Sequence, residues 1–146
     1  MELTWDFTFI DFVVIVGIII LAVVFLFTLY FVRRKHREEI DHKFFRNRWT
    51  QIQDLLKQGK EMNHKLAIIE ADKLLDYALK ALGFPGNTIA ERLQFASYQR
   101  GDLKHVWWAH KVRNMVVHDV KYELSAGETR KVVKAFEAAL KSLHCL

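Results

Sequence analysis

The sequence predicts an all-α protein: a small antiparallel helical bundle following one transmembrane helix. Three observations carry that prediction. Residues 12–32, FVVIVGIIILAVVFLFTLYFV, contain no charged residue. Beyond them the apolar residues recur at steps of three and four, and no stretch alternates as a half-buried strand does. Turn and capping signals then cut this second part into helix-sized pieces.

The elements follow in chain order. Residues 1–11 hold three acids, Glu2, Asp6 and Asp11, and form an extracytoplasmic N-terminus in this reading. The 21 residues of 12–32 make a helix about 31 Å long, enough for a hydrocarbon core of about 30 Å. A cleaved signal peptide would carry positive charge before a shorter apolar run and end in small residues. Here the basic cluster RRKHR, residues 33–37, follows the run. That order predicts a single-pass protein with its N-terminus outside and its C-terminal domain in the cytoplasm. Trp5 and Tyr30, with Phe31 beside it, suit the two interfaces. Residues 33–43 form a basic juxtamembrane segment, and anionic membrane lipids are its expected partner.

Residues 44–146 make up the bundle. Phe45, Trp49, Ile52 and Leu56 form one apolar stripe, which KQGKE around Gly59 interrupts. The next helix covers 61–82. Ala67, Ala71, Leu74, Ala78 and Ala81 share one seam, with Ile68, Leu75, Leu79 and Leu82 beside it. A stripe that wide packs against more than one neighbour. The turn GFPGN, 83–87, holds the only proline. Thr88 with Glu91 is a capping box that opens the short helix IAERLQFASYQ. After Gly101 a helix is expected from about 102 to 121. Ser125 with Glu128 opens the last one, whose apolar face runs from Val132 and Val133 through Phe136 to Leu143.

The chain's 146 residues allow one modest domain and an appendage. Net charge is +5, and the part after residue 32 carries all 22 Lys and Arg. A basic domain suits an anionic partner, RNA or a lipid surface. Cys145 is the only cysteine, so an intramolecular disulfide and a cysteine-based zinc site are both excluded. Neither a phosphate-binding glycine loop nor a nucleophile elbow occurs.

The segment VWWAHKVRNMVVHDV, 106–120, sets an apolar helix around two histidines, an arginine and an asparagine. With His110 at zero on a helical wheel, Trp108, Met115, Val112, Val116, Ala109 and Val120 fall between about 140° and 280°. That arc is the expected core face. Arg113 falls at about 300°, Asn114 at about 40° and His118 at about 80°. Between Arg113 and His118 lie His110, Asn114, Val117 and Trp107. A valine and a tryptophan inside a polar arc suggest a surface that meets a second copy or an RNA. His110 and His118 are eight residues apart, about 12 Å along the axis, too far to grip one ion; no metal is expected.

RNMVVH resembles the Arg-polar-x-x-x-His motif of the HEPN superfamily. Those proteins are all-helical bundles, many of them metal-independent ribonucleases that dimerise so that two motifs share one cleft. The resemblance covers the soluble two-thirds of the chain and does not include the membrane anchor. It implies that His118 is the acid/base residue, Arg113 the phosphate-stabilising cation and Asn114 their polar support. His110, Lys111 and Trp107 would line the RNA or dimer cleft. The implied partners are RNA and a second copy of the chain, with no cofactor. For the family's extra acidic residue on an earlier helix the candidate is Glu70; Glu70, Asp72 and Asp76 otherwise read as solvated charges. The bare Arg–His spacing also occurs at Arg37–His42 and Arg100–His105. Only Arg113–His118 lies within one strong helix and has asparagine after the arginine.

The chemistry is coherent. RNA is cut by its own 2′-hydroxyl when one group moves a proton and another compensates charge at phosphorus. Histidine, with a reference pKa of about 6.5, suits the first role. Arginine's planar fork suits the second. The other reading of the same residues is a non-catalytic, membrane-anchored dimerisation or adaptor bundle. Fold alone does not choose between them.

Overall fold

The computed structural model describes the backbone of residues 9–35 and 40–146, and the side chains of residues 11–29 and 40–146. Two compact units emerge, Met1–Arg37 and Glu38–Leu146. Among the described residues every regular element is helical.

The first unit is α1, Phe9–Lys35. Its stretch Asp11–Leu29 is long and apolar enough to cross a membrane. Its hydroxyl is satisfied within the helix: Thr28 Oγ1 donates to the Phe25 carbonyl at 2.7 Å. That bond removes the penalty a free hydroxyl would meet in an apolar medium. Trp5, the side chains of Tyr30 and Phe31, and those of the 33–37 cluster lie outside the described residues.

The second unit holds α2 (His42–Lys57), α3 (Glu61–Ala81), α4 (Ile89–Gln99), a 3-10 turn at Gly101–Leu103, α5 (Val106–His118) and α6 (Ala126–Ser142). The caps explain the boundaries. Asp41 accepts from the Phe44 amide at 2.9 Å and starts α2. Thr88 Oγ1 accepts from the Glu91 amide, and the Glu91 carboxylate takes the Asn87 amide at 2.7 Å. Ser125 caps α6 in the same way, but Glu128 accepts instead from the Tyr122 hydroxyl at 2.7 Å. α3 ends where Gly83 adopts φ +77°, letting the Phe84 amide reach back to the Leu79 carbonyl at 2.9 Å.

α3 is the central helix and packs against α2, α4, α5 and α6. Its wide apolar surface demands this: Ile68, Leu75 and Leu79 are fully enclosed, as are Phe136 and Leu140 from α6 and Phe45 from α2. The apolar stripes expected on α2, α3 and α6 are the buried ones, except that Leu56 and Leu82 at their ends are half-buried.

The helix expected at 102–121 is shorter. Arg100 is extended, the chain turns through Gly101–Leu103, and α5 begins only at Val106. It stops at His118 because Asp119 adopts an extended conformation, its carboxylate accepting from the Lys121 amide at 2.9 Å. Val120 therefore lies beyond the helix and is fully exposed.

Candidate functional site

α5 buries a different face from the one its sequence suggests. Val106, Ala109, His110 and Val112 are buried, whereas Trp108 is 45% and Met115 39% exposed. The buried arc is turned by about 60° from the expected one. His110, expected either to join a cleft or to pair with a neighbouring helix, is only 3% exposed and does the second. The reason stands on α3. Asp72, expected as a solvated charge, is 1% exposed and faces α5.

The two helices meet in a ring of four polar side chains. His110 Nδ1 lies 2.8 Å from Asp72 Oδ1. Asn114 Nδ2 lies 3.3 Å from His110 Nε2. Arg113 Nη1 donates to Asn114 Oδ1 at 2.9 Å. Arg113 Nε closes the ring 3.0 Å from Asp72 Oδ2. This last contact is an ion pair rather than an aligned hydrogen bond, and the Nε hydrogen is left without an acceptor. A buried carboxylate beside a guanidinium and an imidazole is tolerable where a lone one would not be. The local sequence builds the ring simply: His110 and Asn114 are one helical turn apart, and Asp72 projects from the neighbouring helix.

Of the expected site residues, His110, Arg113 and Asn114 are brought together. His118 is not part of the ring. It is exposed at the last position of α5 and has no hydrogen bond or ion pair among the described residues. It still lies one turn beyond Asn114 on the same side of the helix. Lys111 is exposed. Trp107 is half-buried against the core, its ring edge-on to His110 at a centroid distance of 6.2 Å. Arg113 keeps 23% of its side chain exposed, and Nη2 has no partner among the described residues.

Glu70, the expected acidic residue, pairs with Lys73 at 2.8 Å on the surface. It lines the groove of about 480 Å³ between α2 and α3 with Phe44, Arg48 and Tyr77, and none of the motif residues reaches that groove. Asp72 is the acid that meets the motif. Its signal was present in the sequence: it stands between Ile68 and Leu75 in an otherwise apolar row. A carboxylate in such a row calls for a cation on the facing helix.

Asp76, one turn along α3, is also not a solvated charge. It binds Arg92 of α4, Nε at 2.8 Å and Nη2 at 2.7 Å, with Lys80 on its outer side at 2.7 Å. Arg92 Nη1 donates to the Gly86 carbonyl. No group of three or more His, Cys, Asp or Glu side chains is placed to hold a metal among the described residues.

No family model, curated protein or solved structure matches the chain.

Proposed function

We propose that the chain is a membrane-tethered HEPN-like protein whose bundle cleaves single-stranded RNA without a metal, at a face shared by two copies. One observation carries the reading. Asp72 holds Arg113 at the edge of the core while leaving one guanidinium nitrogen uncommitted, on the same helix as the exposed His118. A fixed cation with one free edge suits a phosphodiester.

The step balances as follows. The 2′-oxygen attacks the neighbouring phosphorus, and its proton goes to His118 of one copy. The bond from phosphorus to the 5′-oxygen breaks, and His118 of the second copy protonates the leaving oxygen. Arg113 compensates the charge on the non-bridging oxygens. The products are a 2′,3′-cyclic phosphate and a 5′-hydroxyl. In this reading α1 spans the membrane with the N-terminus outside, and the bundle meets RNA in the cytoplasm. A C-terminal reporter that is active only outside the cytoplasm would remove that arrangement.

The test is cleavage of a labelled single-stranded RNA by the full chain in detergent micelles. Cleavage is expected to survive EDTA and to leave cyclic phosphate ends. His118→Ala abolishes it and leaves the circular dichroism spectrum unchanged, because the side chain is exposed. RNA affinity falls with salt. Wild-type-like cutting by His118→Ala sinks the proposal.

A different observation favours the adaptor reading. Asp72 already balances the charge of Arg113, and Trp108, Met115 and Val117 expose apolar surface on α5. A chain that dimerises in sedimentation through this face, yet neither binds nor cuts RNA at low salt, is an adaptor.

A further inference from the structure

We propose that the ring holds His110 as a neutral imidazole with its proton on Nδ1, making His110 and Asp72 positioning residues that aim Arg113. The role assigned to Arg113 rests on the ribonuclease reading above; the state of His110 does not.

The guanidinium of Arg113 can only donate. Asn114 must therefore present its amide oxygen to Nη1, 2.9 Å away. The Asn114 amide nitrogen then faces His110 Nε2 at 3.3 Å. That nitrogen is a donor, so Nε2 must accept and carries no proton. Asp72, ionised beside Arg113, accepts on Oδ1, so Nδ1 at 2.8 Å must donate. The three hydrogen-bonded pairs are matched, and the ion pair of Arg113 Nε with Asp72 Oδ2 closes the ring.

Every other assignment fails somewhere. A proton on Nε2 sets N–H against the Asn114 amide N–H. Turning the Asn114 amide over to relieve this sets its nitrogen against Arg113 Nη1. Moving the Nδ1 proton to Nε2 leaves a lone pair facing the Asp72 carboxylate. His110 and Asp72 are 3% and 1% exposed, so water does not repair these mismatches.

Two consequences follow. His110 has both ring nitrogens committed, so His118 is the proton-transfer histidine of each copy. In Arg113, Nη1 is committed to Asn114 and Nε is buried against Asp72 with its hydrogen unmatched, so only Nη2 is left to meet a phosphate. Asp72, His110 and Asn114 together set where that nitrogen points.

The experiment labels the histidines of the full chain with nitrogen-15, in detergent micelles near neutral pH. A long-range proton–nitrogen spectrum reads which ring nitrogens carry protons, and His110→Gln identifies the His110 signals. Wild type is expected to show a protonated Nδ1 and a bare Nε2. Asn114→Asp keeps an acceptor for Arg113 but offers Nε2 no donor, so Nε2 is expected to gain a proton. A protonated Nε2 in wild type, or no change at Nε2 in Asn114→Asp, overturns the inference. In the cleavage assay Asn114→Asp and His110→Gln should lower kcat by about tenfold to a hundredfold with KM little changed, as expected for a misplaced group. Either variant cutting as fast as wild type removes the positioning role. An inactive wild type with the expected spectrum removes the ribonuclease reading and leaves the ring in place.

Discussion

Two carboxylates one turn apart on α3, Asp72 and Asp76, each hold an arginine, and they hold it differently. Arg92 on Asp76 is 6% exposed at its side chain and is closed off by the Gly86 carbonyl. Arg113 on Asp72 is 23% exposed and keeps Nη2 open. The first centre fixes the turn between α3 and α4: it satisfies a guanidinium wholly with the protein's own oxygens. The second combines a buried carboxylate with a cation at the surface. A buried arginine with every nitrogen answered is architecture, whereas one with an open edge is available to an anion.

The largest effect should come from breaking the closed centre. Asp76→Ala strands a nearly buried guanidinium with only the Gly86 carbonyl, and is expected to cost about 3–5 kcal/mol in denaturation followed by tryptophan fluorescence. Asp72→Ala should cost less, about 1–3 kcal/mol, because Arg113 can turn into water and the main loss is the acceptor for His110 Nδ1. Equal costs at the two sites would erase the distinction between them.

A further effect comes from acids that the bundle keeps neutral. Burial pushes the Cys145 thiol from 9.0 up to about 11. Burial, and then the bond to Glu128, push Tyr122 from 10.0 up to about 12. Both folded values lie above the unfolded ones. Their contribution to stability is complete below the ordinary values and lost as pH rises through the raised ones. The denaturation midpoint should hold to about pH 9 and fall between there and about pH 12. Native Cys145 should also resist alkylation at a pH where the unfolded chain reacts quickly. A midpoint flat across that window would separate these groups from folding.

The smallest effect belongs to the exposed ion pairs. Lys141 and Glu137 meet at 2.7 Å one turn apart on α6, with the lysine largely in water. Glu137→Gln should shift stability by no more than about 0.5 kcal/mol, and less in high salt. A shift as large as that of Asp72→Ala would mean that exposure is a poor guide to which ion pairs matter here.

Much of the fold was legible in the sequence for local reasons. Thr88 and Ser125 cap their helices through atoms three residues away, so a short window contains both partners. The stripes of α2, α3 and α6 were legible because an apolar periodicity needs only a neighbour of some kind, not a particular one. The start of α5 was harder to read, since Val106 opens the helix without a side-chain cap and a 3-10 turn comes before it.

The sequence by itself determined that a charge-free helix comes first and that helices of set length and apolar face follow. It also placed Arg113, Asn114 and His118 on one helix. Only the tertiary structure decided which side of α5 is inside. Judged alone, His110 lies on the polar arc away from the core face, and Trp108 and Met115 are apolar and point to the core. The packed protein reverses both, because Asp72 waits 38 residues earlier in the chain. The cost of burying an imidazole depends on the atom opposite it, and a single helix does not contain that atom.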